Sequence, residues 1–324
     1  MIDIELGVED FGRVRFLADP LWSATASLAI FVCASANSVH APLVELTRRR
    51  GLQEVEFLRE LTHELYWFPS LLAPSGCEEC TDGDVAGHLR SRLTKVSLDD
   101  VARDLDHIRK VRPGSAIGGM TPRQLRSRTA DALAVYWQMV LQPLWAKAMG
   151  LAEADIAYRA EVMAKRGLTS TLSDLSNRIT FDGSVLHLDN SIDTRLATGR
   201  GLWLVPSVFR ASGYTVREVV DPSDPHDAPI VSYPARGAAR LWERGPSGGG
   251  PLQRLLGRTR TRVLTASGLP STTTELAGLL GLPKATVSGH LRTLTDAGLM
   301  IATRRAKEVY YDRTALGDEL LQLR

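Results

Sequence analysis

The chain has 324 residues, of which 44% are hydrophobic and 23% are charged. This length allows two or three domains, and this composition argues against a disordered chain. The net charge of +2 is too small to indicate nucleic-acid binding by itself, and no run of about 18 apolar residues predicts a membrane span.

The first 175 residues carry mainly helical periodicity. Ile2–Leu6 and Val14–Leu17 are predicted strands, with Gly12 in the turn between them. Apolar residues at three- and four-residue spacing then predict a series of helices. These are Pro20–Ala34, Ala41–Arg50, Glu54–Trp67, Val85–Leu93, Leu98–Val111, a long helix from Thr121-Pro122 towards Met149, and Ala154–Arg166. We interpret residues 1–175 as an α-rich domain for dimerisation and effector binding.

A Cys-x-x-Cys pair, Cys77 and Cys80, lies in a predicted polar loop. A zinc site usually takes four ligands, and nothing in the sequence brings Cys33, His63 or His88 to this pair. The two Glu residues between the cysteines would raise the thiol pKa and disfavour a redox role. Three cysteines are also an odd number for a disulfide framework. We therefore favour an inert loop over a metal or redox site, and we predict no cofactor.

The periodicity changes to alternation in residues 176–244. Asp182-Gly183 is a strong two-residue hairpin signal between Arg178–Phe181 and Ser184–Leu188. Further strands are predicted at Leu202–Val205, Tyr214–Val219 and Ile230–Tyr233, followed by a short helix at Ala235–Trp242. We interpret this region as a small antiparallel sheet that belongs to the same domain.

Residues 245–251 contain six Gly or Pro in seven positions, which predicts a flexible linker. The segment after it, residues 252–324, holds 11 Lys and Arg against 6 Asp and Glu. The rest of the chain holds 28 against 31, so the positive charge is concentrated at the C-terminal end. A basic segment of this kind is typical of a nucleic-acid-binding module.

Two helices joined by a tight turn are predicted within Thr272–Leu299. Thr272, Thr273 or Thr274 can cap the first helix, Thr274–Leu280, and Gly281 can end it. Pro283 suits the start of the second helix, Lys284–Ala297. Val287, Leu291, Leu294 and Ala297 give that helix one apolar face, and Ala277 allows close approach of the first helix.

The flanking segments complete a winged helix-turn-helix. Leu255–Ser267 is predicted to be a supporting helix, and Met300–Thr303 and Val309–Tyr311 to be the strands of a basic hairpin, the wing. Thr314–Leu323 is predicted to form a closing helix. The predicted fold class is α+β, mainly α: a helical N-terminal domain with a small antiparallel β region, plus this C-terminal module.

The sequence of this module resembles the ArsR-type winged-helix repressors. The resemblance lies in TELAGLLGL at 274–282, TVSGHLRTL at 286–294, AGL at 297–299 and VYYDRT at 309–314. The early helix and the overall layout are similar to large actinobacterial regulators of that type with an N-terminal extension. Two features depart from the family. Residues 274–280 contain no Cys or His, which excludes thiol-based metal sensing there, and Gly289 occupies a position where relatives often carry a long polar side chain.

The recognition helix and the wing supply the candidate DNA contacts. Their polar side chains lie off the predicted apolar face and can donate to phosphates or base edges. These residues are Lys284, Thr286, Ser288, His290, Arg292, Arg304, Arg305 and Lys307. For His290, packing beside the first helix is an equal alternative. For the three wing residues, the alternative is a simple charged hairpin tip.

Catalytic motifs are missing from the sequence. Gly114–Gly118 is not a nucleophile elbow because its Ser is one position early, and His63-Glu64 lacks the second His of a zinc protease. We therefore predict a non-enzymatic, cytoplasmic transcription regulator, a repressor that binds double-stranded DNA as a homodimer on an inverted repeat. The N-terminal domain could receive an unknown small-molecule effector, and no membrane contact is expected. The alternative is a ligand-binding or enzyme-like domain fused to a winged helix that binds protein.

Overall fold

The computed structural model describes residues 1–32, 39–62, 68–73, 80, 83–190, 193–197, 199–210, 213–217, 227–243, 251–305 and 308–322. It confirms a mainly helical α+β chain with a C-terminal helix-turn-helix and a small antiparallel sheet beside it. No helix in these ranges combines the length and the apolar character that crossing a membrane requires.

Most helices of the N-terminal part contribute to one apolar core, which continues into the C-terminal helix-turn-helix. α7 occupies its middle and packs against α4, α5 and α6, and it begins with a capping box between Thr121 and Gln124. Tyr136 near its end is fully buried and shares a 2.8 Å hydrogen bond with Ser27 of α2. The helices are α1 (Val8–Phe11), α2 (Pro20–Val32), α3 (Ala41–Arg50), α4 (Gln53–Leu61), α5 (Val85–Lys95), α6 (Leu98–Val111), α7 (Pro122–Tyr136) and α8 (Gln142–Ser173).

The end of the long helix differs from the prediction. A π-helical turn at Trp137–Leu141 separates α7 from α8, and α8 continues through Gly150 without a break. The prediction of a separate helix at Ala154–Arg166 is therefore wrong. One Gly inside a helix costs only about 1 kcal/mol, which packing can offset. The chain breaks instead at Gly167, whose φ of 79° leaves the helical region.

The described strands before residue 244 form two four-stranded sheets in place of the single antiparallel sheet predicted for residues 176–244. Their orders are β3-β4-β1-β5 and β2-β6-β8-β7, and three pairs, β1/β5, β2/β6 and β6/β8, are parallel. The strands are β1 (Ile2–Glu5), β2 (Val14–Phe16), β3 (Ile179–Phe181), β4 (Val185–Leu188), β5 (Thr194–Ala197), β6 (Leu202–Ser207), β7 (Thr215–Arg217) and β8 (Ile230–Pro234).

The predicted hairpin at Asp182-Gly183 is confirmed, because β3 pairs antiparallel with β4. Asp182 fixes the turn by accepting hydrogen bonds from the backbone N–H groups of Ser184 and Val185 at 2.8 and 2.7 Å. The first two strands do not pair with each other. α1 separates them, β1 joins the first sheet and β2 joins the second, so the predicted turn at Gly12 does not form a hairpin.

The chain between the second sheet and the C-terminal module begins with a 3-10 helix at Ala238–Trp242. The predicted linker 245–251 lies outside the described residues except for Pro251, which begins the next helix. The C-terminal elements are α9 (Pro251–Leu256), α10 (Arg258–Ala266), β9 (Ser271–Thr272), α11 (Thr273–Leu280), α12 (Lys284–Asp296), β10 (Met300–Arg305), β11 (Glu308–Arg313) and α13 (Ala315–Gln322).

Candidate nucleic-acid interface

The helix-turn-helix is formed by α11 and α12, close to the predicted bounds. Thr272 caps α11 in a capping box. Its Oγ1 accepts from the backbone N–H of Glu275 at 3.2 Å, and the Glu275 carboxylate accepts from the backbone N–H of Thr272 at 2.7 Å. Gly281 ends α11 with a left-handed φ of 63°. Pro283 is the N-cap of α12, one position before the first helical turn where we predicted it.

The apolar face of α12 is buried as the sequence predicts. Val287, Leu291 and Leu294 are almost completely shielded from solvent, and Ala277 of α11 is buried as well. α12 packs against both α10 and α11, which hold it at a fixed angle. Burial of this face leaves the opposite face of α12 for another molecule.

The exposed face of α12 has a strip of small residues, Ala285 and Gly289, along its centre. Successive residues on a helix are about 100° apart, so positions four apart form rows along it. One such row holds Lys284, Ser288 and Arg292 and flanks the strip on one side. The other row holds Thr286 and His290 and flanks it on the other side. Lys284, Thr286 and Arg292 are exposed, whereas Ser288 and His290 are half-buried.

Sequence reasoning missed two exposed residues on the same face. Thr293 lies beside the Thr286 row, and its Oγ1 donates to the carbonyl of Gly289 at 3.0 Å. Asp296 ends the central strip. Both lie opposite Val287 and Leu291, so a helical projection from the apolar face would have identified them. An acidic residue at this end limits how far the positive surface extends along α12.

The wing is a confirmed antiparallel hairpin of β10 and β11. Arg304 and Arg305 are exposed on β10, opposite Val309 and Glu308, and the guanidinium of Arg305 lies 5.5 Å from the ring centroid of Tyr310. Lys307 lies outside the described residues. An unpredicted third strand, β9, pairs with β11 and places the cap of α11 directly beside the wing.

Four of the candidate cations have no acidic partner within the part of the chain that the structure describes. Lys284, Arg292, Arg304 and Arg305 form no ion pair with any residue that the structure describes. By contrast, Arg258 and Arg262 of α10 both pair with Glu243, at 3.0 and 2.8 Å. Arg258 and Arg262 therefore attach the module to the rest of the chain, while the cations of α12 and the wing remain available for phosphates.

The module docks on residues 235–243 through close backbone contact. The N–H of Gly237 donates to the carbonyl of Gly278 in α11 at 2.9 Å. A Cβ added at Gly281 would lie only 3.3 Å from the Cα of Gly237. Lys147 of α8 donates to the carbonyls of Leu241 and Glu243 at 2.8 and 2.7 Å, which fixes this segment to the long helix.

The Cys-x-x-Cys pair cannot be followed in full, since Cys77 lies outside the described residues. Cys80 is half-buried and packs against the helical core. Within the described ranges, no group of three or more His, Cys, Asp or Glu residues is placed to hold a metal ion. The proposal of an inert loop therefore remains a prediction, and α11 itself contains no Cys or His.

Gly289 offers a direct test of the exposed face. A Cβ at this position meets nothing within 4 Å, so Gly289→Gln and Gly289→Glu should both fold. The two side chains have nearly the same size and helix propensity, and they differ in charge. We expect the Glu variant to bind DNA about 10 to 100 times more weakly than the Gln variant, because its carboxylate would face phosphates and acceptor-rich base edges. Operator titration at one salt concentration measures the ratio.

Equal DNA affinity of the Gln and Glu variants would show that Gly289 does not face DNA. The free energy of unfolding provides the control, because removing a mid-helix Gly should raise it by up to about 1 kcal/mol in both variants alike. A variant that loses stability would not be used for the comparison of affinities.

Comparison with known proteins identifies the module. Residues 266–301 match the family model described as bacterial regulatory protein, arsR family. The match runs from the end of α10 through α11 and α12 to the start of β10, so the resemblance seen in the sequence is confirmed for this segment. No curated protein matches the chain, and no solved structure matches it. A helix-turn-helix of this family supports a DNA-binding transcription regulator.

Proposed function

We propose that the protein is a sequence-specific transcription regulator that binds an inverted-repeat operator as a homodimer and represses transcription. One observation carries the proposal: cations that form no ion pair with any described residue accompany a strip of small residues on the exposed face of α12. Lys284 and Arg292 flank this strip on one side, and Arg304 and Arg305 lie on the wing. Small residues let a helix enter the major groove closely, and cations beside the strip and on the wing suit phosphates of the DNA backbone.

The small number of base edges that one recognition helix can contact supports a homodimer. One recognition helix of 13 residues with Gly289 at its centre contacts few base edges. Two modules related by a dyad would read half-sites about one helical turn apart, and their discrimination would combine. Repression is the role of the proteins that the module resembles, in which the bound regulator blocks access to a promoter.

Binding should depend strongly on salt. Each cation that contacts a phosphate releases a counterion, so we expect Arg292→Gln and Arg304→Gln each to reduce the slope of log K against log salt by about 1. Titration of the DNA upstream of the protein's own gene, at several salt concentrations, measures this slope. Arg123→Gln is the matched control, because Arg123 is exposed on α7, far from the module in sequence. An affinity that does not change with salt would contradict the assignment.

The number of chains bound to each operator and the direction of regulation, repression or activation, need separate measurements. Sedimentation of the full chain at saturation on its operator should give two chains for each inverted repeat. Transcription from the same promoter in vitro should fall as the protein is added. A single chain at saturation would contradict the dimer, and increased transcription would contradict repression, while DNA binding itself would stand.

A further inference from the structure

A cleft of about 370 Å³ separates the helix-turn-helix from the end of α8. α11 and the turn that leads into Lys284 line one side of it. Tyr158, Arg159, Arg166 and Arg236 belong to the other side. The volume is in the range of small-molecule sites, and such sites often lie where two parts of a chain meet.

Positive charge exceeds negative charge in this cleft. Arg166, Arg236 and Lys284 form no ion pair with any described residue. The two carboxylates of the lining are already engaged. Asp174 pairs with Arg159 at 3.0 Å, and Glu275 accepts from the backbone of Thr272 in the capping box. Three cations that form no ion pair with a described residue therefore border one recess.

Arg236 is placed to bind an anion. Its guanidinium carbon lies 4.0 Å from the ring centroid of Tyr158, so the planar group is held against an aromatic ring. Its backbone N–H donates to Asp155 at 3.0 Å, which fixes the chain at this point. A stacked guanidinium keeps its edge N–H groups for a bidentate contact with a carboxylate or phosphate.

We propose that this cleft binds a small molecule that bears a phosphate or carboxylate group, held by Arg166, Arg236 and Lys284. The same side chain of Lys284 is a candidate phosphate contact at the start of the recognition helix. Residues 236 and 237 connect the cleft to the module, because Gly237 bonds to α11. A bound anion would hold the module against α8, remove Lys284 from DNA and so weaken DNA binding. This coupling rests on the proposed function, whereas the anion site does not.

The anion site is tested with the full chain and no DNA. Pyrophosphate and citrate serve as probes at millimolar concentrations, with ionic strength matched by sodium chloride. The probe that the site prefers, pyrophosphate or citrate, should raise the midpoint of thermal unfolding of the wild-type protein and of the Arg123→Gln control. Calorimetry should show a dissociation constant at least about tenfold higher for Arg236→Gln and for Arg166→Gln, since each removes a charged donor.

Three results would overturn the anion site. The first is that neither probe raises the thermal midpoint of the wild-type protein. The second is that a probe raises the midpoint of every variant equally, which places binding elsewhere. The third is that Arg166→Gln and Arg236→Gln lower DNA affinity and the salt slope in the absence of any probe. In that case these arginines contact the DNA backbone. If Arg236→Gln fails to fold, Arg166→Gln and Lys284→Gln decide, because both side chains are exposed.

The coupling is tested by operator titration with and without the probe that binds. We expect at least about a fivefold loss of DNA affinity for the wild-type protein and no loss for Arg236→Gln. An unchanged affinity with the site saturated would refute the coupling. A wild-type protein that binds the probe but no DNA would refute the proposed function and leave the anion site established.

Discussion

Replacing Asp155 with Ala should lower the free energy of unfolding by about 3 to 5 kcal/mol. Asp155 is buried in α8 and accepts hydrogen bonds from Tyr233 at 2.7 Å and from the backbone of Arg236 at 3.0 Å. It also lies 3.5 Å from Arg159, which is itself only 2% exposed. Removing the Asp155 carboxylate would leave the buried guanidinium of Arg159 paired with Asp174 alone. It would also leave the buried hydroxyl of Tyr233 and the backbone N–H of Arg236 without their acceptor.

The protonation states of this cluster agree with that role. Burial raises the pKa of Tyr233 well above its ordinary value, and the nearby charge of Asp155 adds to the effect, so the phenol stays a neutral donor. Burial would lower the pKa of Arg159, but the nearby carboxylates of Asp155 and Asp174 raise it above its ordinary value. Both groups therefore depend on a negative charge at position 155.

Urea unfolding measures the loss, and Asp131→Ala is the matched control. Asp131 is 59% exposed and pairs with Arg90 at 3.4 Å, so its removal should cost less than about 1 kcal/mol. Similar losses for the two variants would contradict the importance of the buried cluster. Asp155→Asn should fall between them, because an amide can accept from Tyr233 but does not neutralise Arg159.

Acid should destabilise the contact between α3 and the segment that carries the module. His40 is fully buried at the start of α3, and its Nδ1 accepts from Trp242 Nε1 at 3.0 Å. Burial lowers its pKa from 6.5 to about 4. Between these values the unfolded chain binds more protons than the folded one. The contribution of neutral His40 to the free energy of unfolding is therefore fully present above pH 6.5, and it falls by about 3 kcal/mol as the pH drops to 4.

The measurement compares the wild-type protein with His40→Asn across this pH range. The Asn side chain offers an oxygen to Trp242 and does not titrate, so the difference between the two proteins isolates His40. Such a comparison is needed because Asp104 acts in the opposite direction. Burial raises its pKa to about 6, so its folded form gains protons, and relative stability, as pH falls towards 4. A difference that stays constant from pH 7 to about 4 would refute the role of His40.

The helix-turn-helix could be predicted from sequence because its signals are local. Thr272 and Glu275 are three residues apart, Gly281 follows the helix that it ends, and Val287 and Leu291 are one turn apart. The exposed face was predicted in part. The candidate residues of α12 were those off the apolar face, and the structure leaves Arg292 exposed there, but the prediction omitted Thr293 and Asp296 although both lie opposite that face. Contact of these residues with DNA remains a prediction.

The sheets and the cleft depend on contacts between distant segments. The sequence predicts a strand at Ile2–Leu6, yet nothing local to it specifies Val185–Leu188 as an antiparallel neighbour and Thr194–Ala197 as a parallel one. The cleft likewise combines α8, Arg236 and the turn before Lys284. Its charge surplus exists only after folding, so the sequence could suggest an effector without a site for it.

The positions of the partners of β1 and β2 along the chain also determine when the protein can finish folding during translation. β1 and β2 leave the ribosome before their partners in the two sheets, which are β4, β5 and β6. Contacts across such long sequence separations form slowly, and unpaired strand edges attract other chains. The nascent chain must therefore carry two unpaired apolar strands while all the helices from α2 to α8 emerge. Translation rate and chaperone supply, more than the stability of the finished fold, should then decide the yield of soluble protein.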